Sequence, residues 1–289
     1  MSPRDTASPR DTASPRGVAL PHDVASCGAP ATHDTLMKPA AAASAPCEPA
    51  ALESGELPPG ALAVDAGGER LWLLPDRAAY WPRRRTLLIA DAHLGKSAAF
   101  RGAGFPVPRG TTDADLARLS ALIGRCGATR VVFLGDLVHN GAARRAVGAA
   151  FAAWREANRT LEVALVPGNH DRHAGAIDAA WRIDVVADPL VDGGLALRHA
   201  PRAIAGAYAI AGHVHPCANL YGPGRDRLRV PCFWLTATHA VLPAFGGFTG
   251  TADIDAGEGD RVYLAAGDRV VALVRERNAP ADDGGAPAG

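Results

Sequence analysis

The sequence predicts an α/β protein in which two sheets face each other with helices outside, and three observations carry that prediction. Short β-branched runs end one after another in glycine-bearing turns, segments of helical period separate the early runs, and the second half switches to closely spaced strands. The length of 289 residues allows one or two domains, and 48% hydrophobic content suffices for a sizeable core.

Residues 1–57 read as a disordered tail. SPRDTA at Ser2 to Ala7 repeats at Ser8 to Ala13, and Pro and Ala dominate as far as Glu56. Such a segment buries too little apolar surface to offset its ordering entropy. Met37, downstream of the repeat, is read as an alternative translation start, an idea that an intact mass beginning at Ser2 would remove. The folded domain is expected over residues 58–278, with a second disordered tail over residues 279–289.

Within that domain, Ala61 to Ala66 and Leu71 to Leu74 flank Gly67-Gly68, the pattern of a hairpin. Arg83, Arg84 and Arg85 then read as a solvated turn. Leu87 to Ala90 is the next strand. Between Thr111 and Cys126, Leu116, Leu119, Leu122 and Ile123 recur at helical spacing, with Thr112 and Asp115 resembling a capping pair. A strand follows at Val131 to Leu134, and a second helix is expected from Ala142 to Ala157, with Val147, Phe151 and Trp154 on one face. With the strand Leu161 to Val166, this alternation is the grammar of a parallel sheet. Beyond Asp171 the expected elements are strands at Ile183 to Val186, Leu195 to His199, Tyr208 to Ala211, Arg229 to Leu235, Ala240 to Leu242, Arg261 to Ala265 and Val270 to Val274. The Gly246 to Gly250 stretch, GGFTG, reads as structural packing, because no helix follows it to complete a phosphate cradle.

Composition narrows the function. Net charge is zero and the pI about 7.2, so any nucleic acid must be held by a local patch. Lys38 and Lys96 are the only lysines, a bias read as genomic, and it singles out Lys96 within the folded part. Five cysteines, Cys27, Cys47, Cys126, Cys217 and Cys232, include no CxxC pair, the pattern of free thiols in a reducing compartment. No apolar stretch approaches the ~20 residues needed to cross a bilayer, and the N-terminus lacks a signal peptide's apolar core. The expectation is a soluble, cytoplasmic protein with no membrane contact.

Four strands end in potential ligands. Leu87 to Ala90 leads into Asp91-Ala92-His93, Val131 to Leu134 into Gly135-Asp136 and His139, Leu161 to Val166 into Gly168-Asn169-His170-Asp171, and Tyr208 to Ala211 into Gly212-His213-Val214-His215. Open α/β sheets place active sites at the carboxyl ends of their strands. Four such ends in one chain point to a dinuclear metal site rather than scattered polar residues. Carboxylate, amide and imidazole donors without thiolate suit Mn²⁺, Fe or Zn²⁺ and argue against a structural zinc.

Taken in order, Asp91-x-His93, Gly135-Asp136-x-x-His139, Gly168-Asn169-His170-Asp171 and Gly212-His213-x-His215 resemble the signature of calcineurin-like metallophosphoesterases. The segments Asp91 to Thr112, Leu197 to Pro201 and Leu242 to Gly250 are similar to the bacterial ligase-associated DNA damage response endonucleases. The resemblance covers roughly Pro58 to Asn278. Ala92 departs from it, standing where a larger apolar residue is commoner, and the N-terminal tail has no place in the pattern. The resemblance implies a four-layer αββα sandwich. It also implies one metal held by Asp91, His93, Asp136 and His215 and a second by Asp136, Asn169, His199 and His213, with Mn²⁺ the metal expected.

Two cations about 3.5 to 4 Å apart can clamp the attacking oxygen and the phosphate during in-line displacement. The resemblance to the ligase-associated endonucleases then implies hydrolysis of DNA phosphodiester bonds in repair, by a hydroxide shared between the metals. His170 is the expected catalytic group, protonating the leaving oxygen or stabilising its charge. Asp171 either orients His170 or caps the following turn, and His139 is expected to support Asp136. Lys96 and Arg101 are expected to contact substrate phosphate, whereas His22, His33, His173 and His239 belong to no motif. Arg83 to Arg85, Arg101, Arg109, Arg144, Arg145 and Arg202 are candidates for a converging basic patch. No aromatic interleaving of the single-strand-binding kind is visible. A small-molecule phosphoesterase for nucleotides or cyclic nucleotides is the alternative, and a scaffold without chemistry the third reading. DNA is the expected partner, with a DNA ligase and a helicase as functional neighbours through the resemblance.

Overall fold

Alternation along the early strands decides how the chain layers. In the computed structural model, which describes residues 56–223 and 226–273, Leu87 and Ile89 belong to one apolar cluster while Leu88 and Ala90 belong to another. Successive side chains of a strand point to opposite faces, so this strand is covered on both sides. The expected tails over residues 1–57 and 279–289 lie outside the described residues, except Glu56 and Leu57. The chain divides after Cys47, and every described residue falls in the unit from Glu48 to Gly289.

The first sheet has seven strands in the order of the chain: β1 (Leu62–Ala66), β2 (Glu69–Leu74), β3 (Ala78–Trp81), β4 (Thr86–Ile89), β5 (Arg130–Phe133), β6 (Glu162–Leu165) and β7 (Asp184–Val185). Antiparallel pairing links β1 to β4, and parallel pairing links β4 to β7. Four helices accompany it, α1 (Lys96–Gly102), α2 (Thr111–Cys126), α3 (Gly141–Ala157) and α4 (Asn169–Ala174). Leu116, Leu119 and Leu122 of α2 and Val147, Phe151 and Trp154 of α3 form one cluster with Leu87, Ile89, Val131, Phe133 and Val163.

The second half supplies β8 (Leu190–Asp192), β9 (Leu195–Leu197), β10 (Tyr208–Ala211), β11 (Pro216–Tyr221), β12 (Arg227–Leu235), β13 (His239–Val241), β14 (Ala252–Asp253), β15 (Arg261–Ala266) and β16 (Arg269–Leu273). Their spatial order is β14-β11-β12-β13-β10-β9-β8, with β15 joining β12 to β16. Leu88, Val132, Leu134, Ala164 and Val166 of the first sheet pack against Leu195, Leu197, Ile210, Phe233 and Leu242 of the second. The expected face-to-face pair of sheets is therefore the core. Every α-helix among the described residues precedes Gly175. In place of a helix, a small cluster of Ala218, Val230, Cys232, Ala256, Val262 and Leu264 forms within the second sheet and its loops.

Details depart from the sequence reading where long-range contacts override local pattern. The Thr112/Asp115 capping pair does not form. Gly110 caps α2 with φ 81°, and the Asp115 carboxylate accepts the Gly247 N–H instead. The cap at α3 is Asn140, whose side chain accepts the Ala143 N–H at 2.8 Å. Helix α1 and strands β3, β8, β11 and β14 had no signal in periodicity, each being short or interrupted by small and polar residues. Among the described residues, no helix is long and apolar enough to cross a membrane.

Arg155, 3% exposed, anchors α3. Its guanidinium donates to the carbonyls of Trp181, Asn158, Leu161 and Arg182 at 2.8 to 3.3 Å. Arg155→Met leaves those buried acceptors without their donor and is expected to cost roughly 3 kcal/mol, read as a lowered urea midpoint; an unchanged midpoint would refute the anchor.

Cys126, Cys217 and Cys232 are buried free thiols. Burial pushes the Cys126 thiol up from 9.0 to about 11 and the Cys232 thiol to about 12. Their contribution to stability is whole below pH 9 and is lost as pH rises through the folded values. The melting temperature is expected to fall more steeply above pH 9 than that of a Cys126→Ala, Cys232→Ala double variant; parallel curves would count against it.

Candidate metal centre

The parallel strands β4, β5 and β6 lie side by side, so the turns that follow them open at one end of the first sheet. Those turns carry Asp91 and His93, Asp136, and Asn169. Strands β9 and β10, parallel neighbours in the second sheet, carry His199, His213 and His215 to the same place. Among the described residues these side chains converge as two groups that could each hold a metal ion, Asp91 with His93 and His215, and Asp136 with His199 and His213, while His93 makes a third with His139 and His170. In the first, His93 Nε2 is 3.3 Å from His215 Nε2, and His215 Nε2 is 3.6 Å from Asp91 Oδ1. In the second, His199 Nε2 lies 3.0 Å from His213 Nδ1 and 2.9 Å from Asn169 Oδ1. Every residue expected to be a ligand is in one of these groups or touches it.

Hydrogen bonding shows that cations fit here. His199 Nδ1 donates to the Leu134 carbonyl at 3.0 Å and His215 Nδ1 to the Gly250 carbonyl at 3.0 Å. Each ring therefore turns the lone pair of its Nε2 inward, the arrangement that orients imidazole ligands. Asp91 Oδ1, fully buried, accepts no hydrogen bond. Burial, with His215 beside it, pushes the His93 imidazole down to about 2, which keeps it in the neutral form that binds metals. Acceptors face acceptors, and a divalent cation is what satisfies such a set.

The backbone is bent to make this possible. Asp91, His93, Asp136, His213 and His215 have φ of 50°, 43°, 50°, 72° and 53°, left-handed values that cost non-glycine residues roughly 1–3 kcal/mol each and cluster at functional sites. The glycines between them make room for neighbouring ligands. A Cβ on Gly168 would lie 2.1 Å from Asp136 Oδ1, and one on Gly212 2.4 Å from Asp91 Oδ2.

A solved structure of the Pseudomonas putida nuclease MPE is 40% identical, covers 74% of this chain and 100% of that chain, and superposes with a TM-score of 0.64. The chain belongs to the calcineurin-like phosphoesterases. The family model described as calcineurin-like phosphoesterase matches residues 84–197, the span from the arginine turn to β9, and it makes this protein a metal-dependent phosphoesterase. The E. coli phosphoesterase Yfce is 14% identical over 65% of this chain and 97% of that chain, with a TM-score of 0.34. No curated protein sequence matches the chain.

Around the metal groups of this calcineurin-like phosphoesterase, several expected roles change. His170 is half-buried, with 36% of its side chain exposed, its Nε2 4.0 Å from Asp136 Oδ2 and its ring 4.9 Å from that of His93. Its Nδ1 donates to the His139 carbonyl at 2.7 Å, and its backbone N–H donates to Asp136 Oδ1 at 2.9 Å. Asp171 does not orient the His170 ring. Its oxygens accept the backbone N–H groups of Gly168 and Val138, so it closes the turn at the start of α4, ahead of it in the chain, and not the turn that follows. His139 likewise makes no hydrogen bond to Asp136 among the described residues. Its ring stacks on His170 at 4.9 Å and 26°.

Lys96, half-buried at the start of α1, lies close enough that its charge lowers the proton affinity of His93 and His139. The Arg101 guanidinium donates to the Pro108 carbonyl at 2.5 Å and closes its own loop. Four of the candidate arginines are engaged elsewhere. Arg83 and Arg84 pair with Glu69 and Asp192 at the far end of β4, Arg85 donates to the Gly127 carbonyl, and Arg144 to the Ala174 carbonyl. His173 and His239 are held by the Asn169 carbonyl and by Thr236.

What the sequence reading missed is an aromatic rim. Phe100 sits 5.7 Å from both Phe105 and Phe248 and 6.1 Å from His139, and Phe105 is 54% exposed. Phe248 belongs to the GGFTG loop, so no local pattern could have joined it to the other two.

Proposed function

We propose that this phosphoesterase hydrolyses DNA phosphodiesters with two divalent cations that share Asp136. The observation that carries the pairing is the position of that carboxylate: Oδ2 lies 3.8 Å from His93 Nε2 and Oδ1 3.6 Å from His199 Nε2. Asp91, His93, Asp136 and His215 would hold one cation, and Asp136, Asn169, His199 and His213 the other. When bound, such a pair would lower the proton affinity of the attacking water and neutralise charge on the phosphate. The donors, oxygen and imidazole without thiolate, suit Mn²⁺, with Fe or Zn²⁺ as competitors.

The chain supplies the remaining steps. His170, half-buried beside Asp136, would protonate or stabilise the leaving oxygen. Lys96, whose charge is felt at His93 and His139, would contact a phosphate oxygen, so Lys96→Ala is expected to raise KM roughly tenfold with a smaller change in kcat; an unchanged KM removes it from the site. DNA as substrate is supported by the likeness to the Pseudomonas putida nuclease and by the phenylalanine rim, since bases stack on aromatic rings. A repair role follows the same reading.

The test compares supercoiled plasmid, bis(p-nitrophenyl) phosphate and cyclic nucleotides with metal-stripped full-length chain and added Mn²⁺. Plasmid nicking that depends on Mn²⁺ is the expected result. Intact plasmid alongside rapid cleavage of the small esters would instead assign a small-molecule phosphoesterase.

A further inference from the structure

The loop that carries Phe248 is fastened by charged groups that lie outside the metal groups and away from His170. Asp115 of α2 is only 7% exposed, and both its oxygens accept the Gly247 N–H, at 3.0 and 3.1 Å. Arg118, one turn on, donates to Asp115 Oδ1 at 2.9 Å and to the Phe245 carbonyl, and its guanidinium lies 4.0 Å over the Phe245 ring. Arg77 reaches the Gly246 carbonyl at 3.4 Å. Burying these charges is unfavourable, and a well-packed apolar group often does as well for stability alone.

The fastened segment runs across the first ligand turn. Phe245 N–H donates to the Ala90 carbonyl and Gly246 N–H to the Asp91 carbonyl, at 2.8 and 3.3 Å. A Cβ on Gly246 would lie 2.3 Å from the Ala92 carbonyl oxygen, so only glycine lets the loop cross the turn this closely. Its far end presents the Gly250 carbonyl, the acceptor that fixes the His215 tautomer and ring direction.

We propose that Asp115 and Arg118 are positioning residues for the metal centre, setting the His215 imidazole through the Phe245 to Gly250 loop. The inference rests on His215 being a metal ligand, as proposed above. Outer partners of metal ligands change affinity by roughly 10–100-fold when removed. The effect belongs to the cation on the His215 side, so stoichiometry distinguishes it from general damage.

The experiment titrates Mn²⁺ alone into metal-stripped full-length protein by calorimetry, for the wild type and the variants Asp115→Ala, Asp115→Asn, Gly247→Pro and His215→Ala. Melting of each metal-free variant is recorded in parallel. Asp115→Ala is expected to weaken one of two Mn²⁺ sites by roughly 10–100-fold and to lower kcat on bis(p-nitrophenyl) phosphate more than it raises KM. Asp115→Asn keeps an oxygen for the Gly247 N–H and is expected to restore most of the affinity. Gly247→Pro deletes that N–H while leaving α2 intact, and it answers the question if Asp115→Ala does not fold. Wild-type Mn²⁺ affinity in a folded Asp115→Ala or Gly247→Pro protein, whatever its melting temperature, overturns the inference. If His215→Ala also binds Mn²⁺ as the wild type does, the ligand assignment itself fails; if only His215→Ala loses a site, this inference fails alone.

Discussion

Asp136→Asn is expected to lower phosphodiester hydrolysis by at least roughly 10³-fold, the upper end of what losing a single electrostatic donor costs. The reason is geometric. One buried carboxylate faces His93 with one oxygen and His199 with the other, so its charge serves both groups at once. Asparagine keeps the size and an oxygen for the His170 N–H, which leaves the fold intact and confines the loss to the charge. The same variant should lose the stabilisation conferred by Mn²⁺, about 2.7 kcal/mol when the ion stands a hundredfold above its dissociation constant. Melting with and without Mn²⁺, alongside plasmid nicking, checks both. Activity within tenfold of the wild type would rule out a shared carboxylate.

His170→Ala is expected to reduce kcat on DNA by roughly 10²–10⁴-fold, the range of general acid–base catalysis, with the Mn²⁺-dependent rise in melting temperature preserved. Because Nδ1 donates to the His139 carbonyl, any proton delivered to substrate must come from Nε2, the nitrogen beside Asp136. Departure of p-nitrophenolate needs little help from a proton, whereas a deoxyribose alkoxide needs a great deal. The loss should therefore be much smaller on bis(p-nitrophenyl) phosphate than on plasmid. Equal losses on the two substrates would assign His170 to phosphate binding, and the proton would have to come from elsewhere.

The parts of this structure that could be read from sequence are those written into short spans. Leu87 to Ala90 and Val131 to Leu134 became β4 and β5 with their flanks, and Leu116, Leu119 and Leu122 did face the core as their spacing predicted. The ligand turns were legible because each motif holds its own glycine and its own donor. His199 lies outside those four turns and was named only through the family resemblance. Roles set across the fold were not legible. Asp115 looks like a helix cap in its own neighbourhood, and only the approach of Gly247 shows what it binds. His139 follows Asp136 closely in the chain, yet its ring stacks on His170, a residue brought to it from the turn after β6. Arg101 sits near the first ligand turn in sequence, but the Pro108 carbonyl claims its guanidinium. Phe100, Phe105 and Phe248 carry no shared periodicity, so their meeting depends on where the GGFTG loop is tied.

Asp91, His93, Asp136 and Asn169 arrive on the early β-α half of the chain, while His199, His213 and His215 arrive on the later, strand-rich half. Each proposed cation thus rivets one half to the other, adding a crosslink to an interface otherwise closed by aliphatic side chains. Chelation should then loosen the seam between the halves ahead of the interior of either one, and amide exchange at the tips of β9 and β10 would be the first to quicken.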